Sequence, residues 1–145
     1  MNDYIELQII EAVQGVLIGT VNEILRDTEF SIPVIEFGNS QSRLTVVPEI
    51  TLSACEQTEK ERIIRLEAYS LNISFSLPDM PESELHCYAC SGAVGRAFYD
   101  DPTLGRVVDR AVITGKKYIP PKKPYCGDLW ELVVSLRVTV EGGKE

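Results

Sequence analysis

Trp130-Glu131-Leu132-Val133-Val134-Ser135-Leu136-Arg137-Val138-Thr139-Val140 alternates almost without a break. Trp130, Leu132, Val134, Leu136, Val138 and Val140 fall on one side of the alternation. Glu131, Ser135, Arg137 and Thr139 fall on the other, and only Val133 is out of character. Successive side chains of a strand point to opposite faces, so this stretch reads as a long strand with one apolar and one polar face. Such a strand belongs to a sheet that covers a core on one side only. It fixes the class of fold and names no chemistry.

Working backwards, Val107 to Ile119 reads as another strand, less regular. It runs out through Lys116-Lys117-Tyr118-Ile119-Pro120-Pro121-Lys122-Lys123-Pro124, a stiff and basic loop. Before it, Pro78-Asp79-Met80-Pro81-Glu82 opens a helix that runs to about Tyr99, with Pro81 suited to its first turn. Glu82 and Glu84 complement the positive end of its dipole, and Asp100-Asp101-Pro102 stops it. Three strands are expected before that helix. Ile32 to Phe37 is short, and its Pro33 suits an edge. Gly38 to Ser42 has turn composition. Leu44 to Ala54 alternates around Pro48. Ile64 to Leu77 changes the phase of its apolar positions between Ala68 and Tyr69, which predicts a bulge there. The polar stretch Glu56–Glu61 reads as the turn of a long hairpin.

At the start of the chain, Ile9, Ile10, Val13, Val16, Leu17, Val21 and Ile24 recur at helical spacing from Tyr4 to Leu25. Asp3 with Glu6 matches a capping pattern. Gly15 and Gly19 lie inside this helix and suggest close packing on protein or a kink. The order helix, three strands, helix, two strands indicates the α+β class. The expected architecture is an antiparallel sheet of about four to five strands with two helices packed on one face, in a single domain spanning residues 1–145.

Composition narrows the functional classes. The 145 residues are 44% hydrophobic and 25% charged, ordinary for a globular protein. No apolar run approaches the ~20 residues of a membrane span, and the N-terminus has no signal-peptide pattern, so a cytoplasmic protein is expected. Net charge is −8. Residues 1–90 carry 15 Asp and Glu against 5 Lys and Arg, whereas residues 91–145 carry 7 against 9. This balance argues against a general nucleic-acid binder, which neutralises phosphates with cations.

Few residues suggest chemistry. Cys87-Tyr88-Ala89-Cys90 could hold zinc with Cys126 or Cys55, or could be a redox pair. The same cysteines fall in step with Val94, Ala97 and Phe98 on the core stripe of a helix, where free cysteine behaves as a small hydrophobe, and packing is the better reading. His86 is the lone histidine and reads as a partly exposed helix residue; a nucleophilic pair would have to use it. Asp100, Asp101 and Asp109 could form a carboxylate site, but Asp101 before a proline suits a helix-end turn. Gly92, Gly95 and Gly105 make no phosphate loop. No catalytic, metal-binding or cofactor-binding residue is assigned, no cofactor is expected, and the chain does not read as an enzyme. Lys116, Lys117, Tyr118, Lys122, Lys123 and Tyr125 form the one basic and aromatic cluster. They are the candidate interface, suited to an acidic partner such as the acidic part of a second copy.

Three features together resemble the tail terminator group of small tail-completion proteins from tailed phages and prophages. One is the order of helices and strands. The second is Cys55-Glu56-Gln57-Thr58-Glu59-Lys60-Glu61-Arg62 leading into a long strand. The third runs from Asp101-Pro102-Thr103-Leu104-Gly105-Arg106-Val107 through Pro120-Pro121-Lys122 to Trp130-Glu131-Leu132. The resemblance implies a structural subunit of the virion tail, assembled in the host cytoplasm. It implies self-association into a ring, usually hexameric, that caps the tail tube and joins it to the head through tube and head-connector proteins. DNA would pass through the ring without specific binding, and no membrane would be involved. An acidic lumen, lined from the first helix or the hairpin, would repel phosphates. The readings from other classes are a metal-binding or redox protein using Cys87 and Cys90, and a small binding module.

Overall fold

A computed structural model describes residues 4–27, 34–35, 45–46, 48–60, 64–77, 82–121 and 130–142. The chain opens with one continuous helical rod: α1 (Ile5–Val16), a π segment (Leu17–Val21) and α2 (Asn22–Arg26). Tyr4 takes the N-cap position with no side-chain cap bond, and Asp3 lies outside the described residues. The π segment accommodates an extra residue in the turn and rotates everything after it. As a result Leu25 enters the core, whereas Ile24, expected there from strict 3.6 spacing, is only partly buried. Gly15 and Gly19 are exposed, and a Cβ on either would meet nothing within 4 Å. The expected close packing at these glycines is therefore absent, and what marks this stretch of helix is the π segment.

Two short strands follow, β1 (Val34–Ile35) and β2 (Thr45–Val46), paired in parallel. They stand apart from the main sheet, which corrects the expectation that Leu44 to Ala54 is one strand. Pro48 has no amide hydrogen to give a ladder, and the long strand β3 (Glu49–Lys60) begins just after it. Gly38–Ser42 lies outside the described residues. β3 also runs through the stretch expected as a turn: Glu56, Gln57 and Thr58 pair with Ala68, Glu67 and Leu66.

The main sheet has the order β3-β4-β6-β5 and is antiparallel throughout, with β4 (Ile64–Ser76), β5 (Arg110–Ile119) and β6 (Glu131–Gly142). Together with the helices it makes an α+β fold. The β4–β6 ladder runs from Arg65↔Gly142 to Ser76↔Glu131 with no shift. The bulge expected at Ala68/Tyr69 is thus not in β4. Ala68 and Tyr69 are both buried, one on each face, so the apolar phase changes without any inserted residue. The bulges lie instead on the two edge strands, at Ser53 in β3 and Thr114 in β5. Each bulged residue uses its hydroxyl to bond a neighbouring carbonyl, Ser53 to Ser70 at 3.0 Å and Thr114 to Ser135 at 3.3 Å.

The sheet's deepest side chains share one face: Leu71, Ile73 and Phe75 from β4, and Leu132, Val134, Leu136 and Val138 from β6. They form a single cluster with Ile9, Val13 and Leu17 of the rod and with Cys87, Cys90, Val94, Ala97 and Phe98 of α3 (Ser83–Asp100). Burying each large side chain contributes about 1.5–3 kcal/mol, and this cluster is the fold's main stabilising element. Among the described residues no helix is long and apolar enough to cross a membrane.

The link from α3 to β5 explains why the strand expected from Val107 starts only at Arg110. Leu104, Gly105 and Arg106 all have positive φ, at 49°, 69° and 71°. Asp101 Oδ1 accepts from the Gly105 amide at 3.1 Å, and Thr103 Oγ1 from the Arg106 amide at 3.2 Å. Leu104 is meanwhile buried as an anchor. Left-handed residues cannot continue a strand, and the Val108 amide still bonds back to the Thr103 carbonyl at 3.1 Å, so the turn delays it.

Candidate interaction surface

The basic and aromatic cluster read from the sequence falls at the end of β5, where α3 crosses the edge of the sheet. Register decides what each residue does. Lys116 and Tyr118 oppose Val134 and Leu132, so they stand on the helix-covered face. The Lys116 ammonium donates to the Ser91 carbonyl of α3 at 2.8 Å, and the Tyr118 hydroxyl shares a 2.7 Å hydrogen bond with Ser91 Oγ. Lys117 opposes Val133, stands on the other face and is exposed. The six residues of the expected interface are thus divided. Lys116 and Tyr118 brace the helix, and Lys117 meets solvent. Lys122, Lys123 and Tyr125 lie outside the described residues.

Tyr88 of α3, which carries no signal in the sequence beyond lying between the two cysteines, completes an aromatic cluster. Its ring meets Tyr118 at 5.8 Å and Trp130 at 6.2 Å, both edge-on. Edge-to-face pairs of this kind contribute about 0.5–1.5 kcal/mol beyond area burial. The Tyr88 hydroxyl donates to Glu84 at 2.8 Å, which holds its phenol above the ordinary range. Tyr88 and Tyr118 remain half exposed, so the cluster is both a brace and an outward surface.

Beside it lies a groove of about 560 Å³ between the end of α3 and the outer edge of β5. Gly95, Phe98 and Tyr99 form one wall and Ala111, Val112 and Ile113 the other, with Arg110 and Lys116 at either end. Gly95 lets the strand approach. A Cβ there would lie 2.9 Å from Lys116 Nζ. No strand lies against the outer edge of β5 or of β3 among the described residues, but the Pro102 carbonyl accepts from the outward-facing Ala111 amide at 2.6 Å, so the turn after α3 covers the β5 edge at that point.

Most of the other candidate residues have structural places, although the buried His86 Nδ1 has no hydrogen-bond partner among the described residues. Cys87 and Cys90 are buried in the core, and desolvation pushes their thiols up to about 11 and about 12. A redox or metal-binding pair works as thiolates, and this environment opposes them. Cys55 is exposed on β3, and Cys126 lies outside the described residues. His86 is buried, not partly exposed as expected, because it shares the inward face of α3 with Cys87 and Cys90. Asp101 holds the left-handed turn, Asp109 Oδ2 accepts from the Glu141 amide at 2.6 Å, and Asp100 approaches Arg96 at 3.8 Å. Among the described residues no group of three or more His, Cys, Asp or Glu could hold a metal ion.

Neither a protein-family model nor a curated protein matches this chain.

Proposed function

We propose that this chain is a structural subunit of a phage or prophage tail, of the tail terminator kind, which assembles into a ring that caps the tail tube and joins it to the head. The observation that carries this reading is the sheet itself. Its four strands are all antiparallel, so the two outer strands, β3 and β5, run in opposite directions. Copies placed side by side in the same orientation would bring β5 of one against β3 of the next as antiparallel neighbours. That is a heterologous contact, the kind that closes into rings. A net charge of −8 per copy gives such a ring a strongly negative field, which lets DNA pass without being held.

Native mass spectrometry and negative-stain electron microscopy of the purified chain, alone and with tail tubes, test the proposal. Rings of uniform subunit number, free or seated on tube ends, are expected. A chain that stays monomeric and leaves tube ends bare overturns it.

A further inference from the structure

The sheet carries its charge in rows. Glu56 of β3 pairs with Ala68, Ala68 with Thr139, and Thr139 with Arg110 of β5. Six ladder steps away, Glu49 pairs with Ser74, Ser74 with Val133, and Val133 with Lys117. Each row therefore starts with a carboxylate at one edge of the sheet and ends with a cation at the other. All four charged residues are exposed, and Glu56 also approaches Arg137 of β6 at 3.5 Å within the same copy. Between these rows, a further row runs from Leu52 through Leu71 and Leu136 to Ile113, and its neighbour from Ala54 through Ser70 and Arg137 to Val112. Leu52 and Ile113 are partly buried against the core and Val112 is exposed, so apolar surface is left at both edges.

We infer that the outer edge of β5 beyond Ala111, from Val112 to Ile119, with the groove beside α3, receives the outer edge of β3 from a second copy of this chain, row against row. In that register Glu49 of one copy faces Lys117 of the next, and Glu56 comes level with Arg110 just past Ala111, where Pro102 closes the edge and leaves the two to meet by their side chains alone. Leu52 packs on Ile113 at the mouth of the groove, and Ala54 packs on Val112. The bulges at Ser53 and Thr114 fall within one row of each other. A bulge bends its strand, so two edges bent at nearly the same height can follow one another.

Charge also selects this pairing over its rivals. Joining β5 to β5 brings Arg110 and Lys117 of two copies together. Joining β3 to β3 brings Glu49 and Glu56 together. Like charges facing across strands are destabilising, so both two-fold dimers are disfavoured and the head-to-tail contact remains. Cations on an edge strand ordinarily protect it from indiscriminate pairing. Here they leave it open to an acidic edge. This inference rests on the ring proposal and names its interface.

The test uses charge exchange together with cross-linking. At low salt, Glu49→Lys alone and Lys117→Glu alone should each weaken self-association roughly tenfold, and the double variant should recover it, because every contact then holds the pair reversed. Cross-linking uses Ala54→Cys with Val112→Cys in a chain whose Cys55 and Cys126 are serine. Oxidation at high protein concentration should give a ladder of covalent oligomers that either single cysteine cannot form. Rings that persist unchanged in both charge variants, with no ladder, overturn this interface while leaving the ring proposal standing. A ladder from a chain that never caps tail tubes supports the interface and removes the tail function. The absence of both a ladder and self-association overturns the interface outright.

Discussion

Lys116 reaches across from β5 to donate a hydrogen bond to the Ser91 carbonyl of α3, and it passes over Gly95, whose missing side chain leaves the ammonium its place. Strand and helix are thereby tied at the point where the groove begins. The obstruction that a Cβ at Gly95 would meet is the far end of a flexible chain, so the lysine can move aside.

Gly95→Ala should therefore be nearly neutral. It gains about 1 kcal/mol of helix propensity and loses about as much by displacing the ammonium from Ser91. In a Lys116→Met background, which keeps the apolar stem without the charge, the same alanine should stabilise by up to about 1 kcal/mol. Chemical denaturation of the four proteins in this cycle measures the difference.

Asn22 is the buried polar residue on which the short parallel pair depends. Its Nδ2 donates to the Ile35 carbonyl at 2.8 Å and its Oδ1 accepts from the Ile35 amide at 2.7 Å. Asn22→Ala leaves both backbone groups without this partner in a buried place and should cost about 2–3 kcal/mol. Asn22→Asp should also destabilise, because a carboxylate would face the Ile35 carbonyl. Thermal and urea unfolding would show both losses, and amide exchange at Ile35 should rise sharply in each variant.

Arg106 sits at φ 71° with a Cβ that disfavours the left-handed region. Arg106→Gly should stabilise the chain by about 1 kcal/mol, and Gly105→Ala should destabilise it by about the same amount. Opposite shifts of the unfolding midpoint in the two variants are the expected readout.

Cys90 sets an alkaline limit. Burial raises its pKa from 9.0 to about 12, so the folded state keeps a proton that the unfolded state releases. Stability from this residue is complete below about pH 9 and declines as pH rises toward 12, by about 1.4 kcal/mol per pH unit. Denaturant titrations from neutral to alkaline pH, compared between the native chain and Cys90→Ala, isolate the slope. The variant should start less stable and lose stability less steeply.

Gly15 and Gly19 make no contact that a methyl group would disturb. Replacing either with alanine should stabilise the helix by about 0.5–1 kcal/mol. A loss of stability in either variant, measured by thermal unfolding, would mean that the π segment needs the glycine.

Much of this molecule is set by local pattern. The alternation from Trp130 to Val140 specifies a strand with one face for the core, because a period of two cannot bury its apolar set any other way. The stripe holding Cys87, Cys90, Val94 and Phe98 likewise specifies a helix whose cysteines pack as hydrophobes, and their burial matches it. Where local pattern misled, a neighbouring element decided the outcome. The turn expected at Glu56–Glu61 is strand as far as Lys60, because β4 supplies a ladder that polar residues can join as well as apolar ones. Leu25 takes the place expected for Ile24 because the π segment turns the helix under it.

The surface follows the same division. Composition located the basic cluster and fixed the acid-rich and base-rich portions of the chain, since charge is carried by residue type alone. Only the tertiary structure decided that Lys116 is held by α3 while Lys117 stands free on the opposite face, that Tyr88 joins Tyr118 and Trp130, and that Glu56 and Arg110 end one row. Those relations depend on which strands become neighbours and on the one-residue bulges that set their register. Pairing across a sheet joins positions tens of residues apart, and no short-range period encodes that choice.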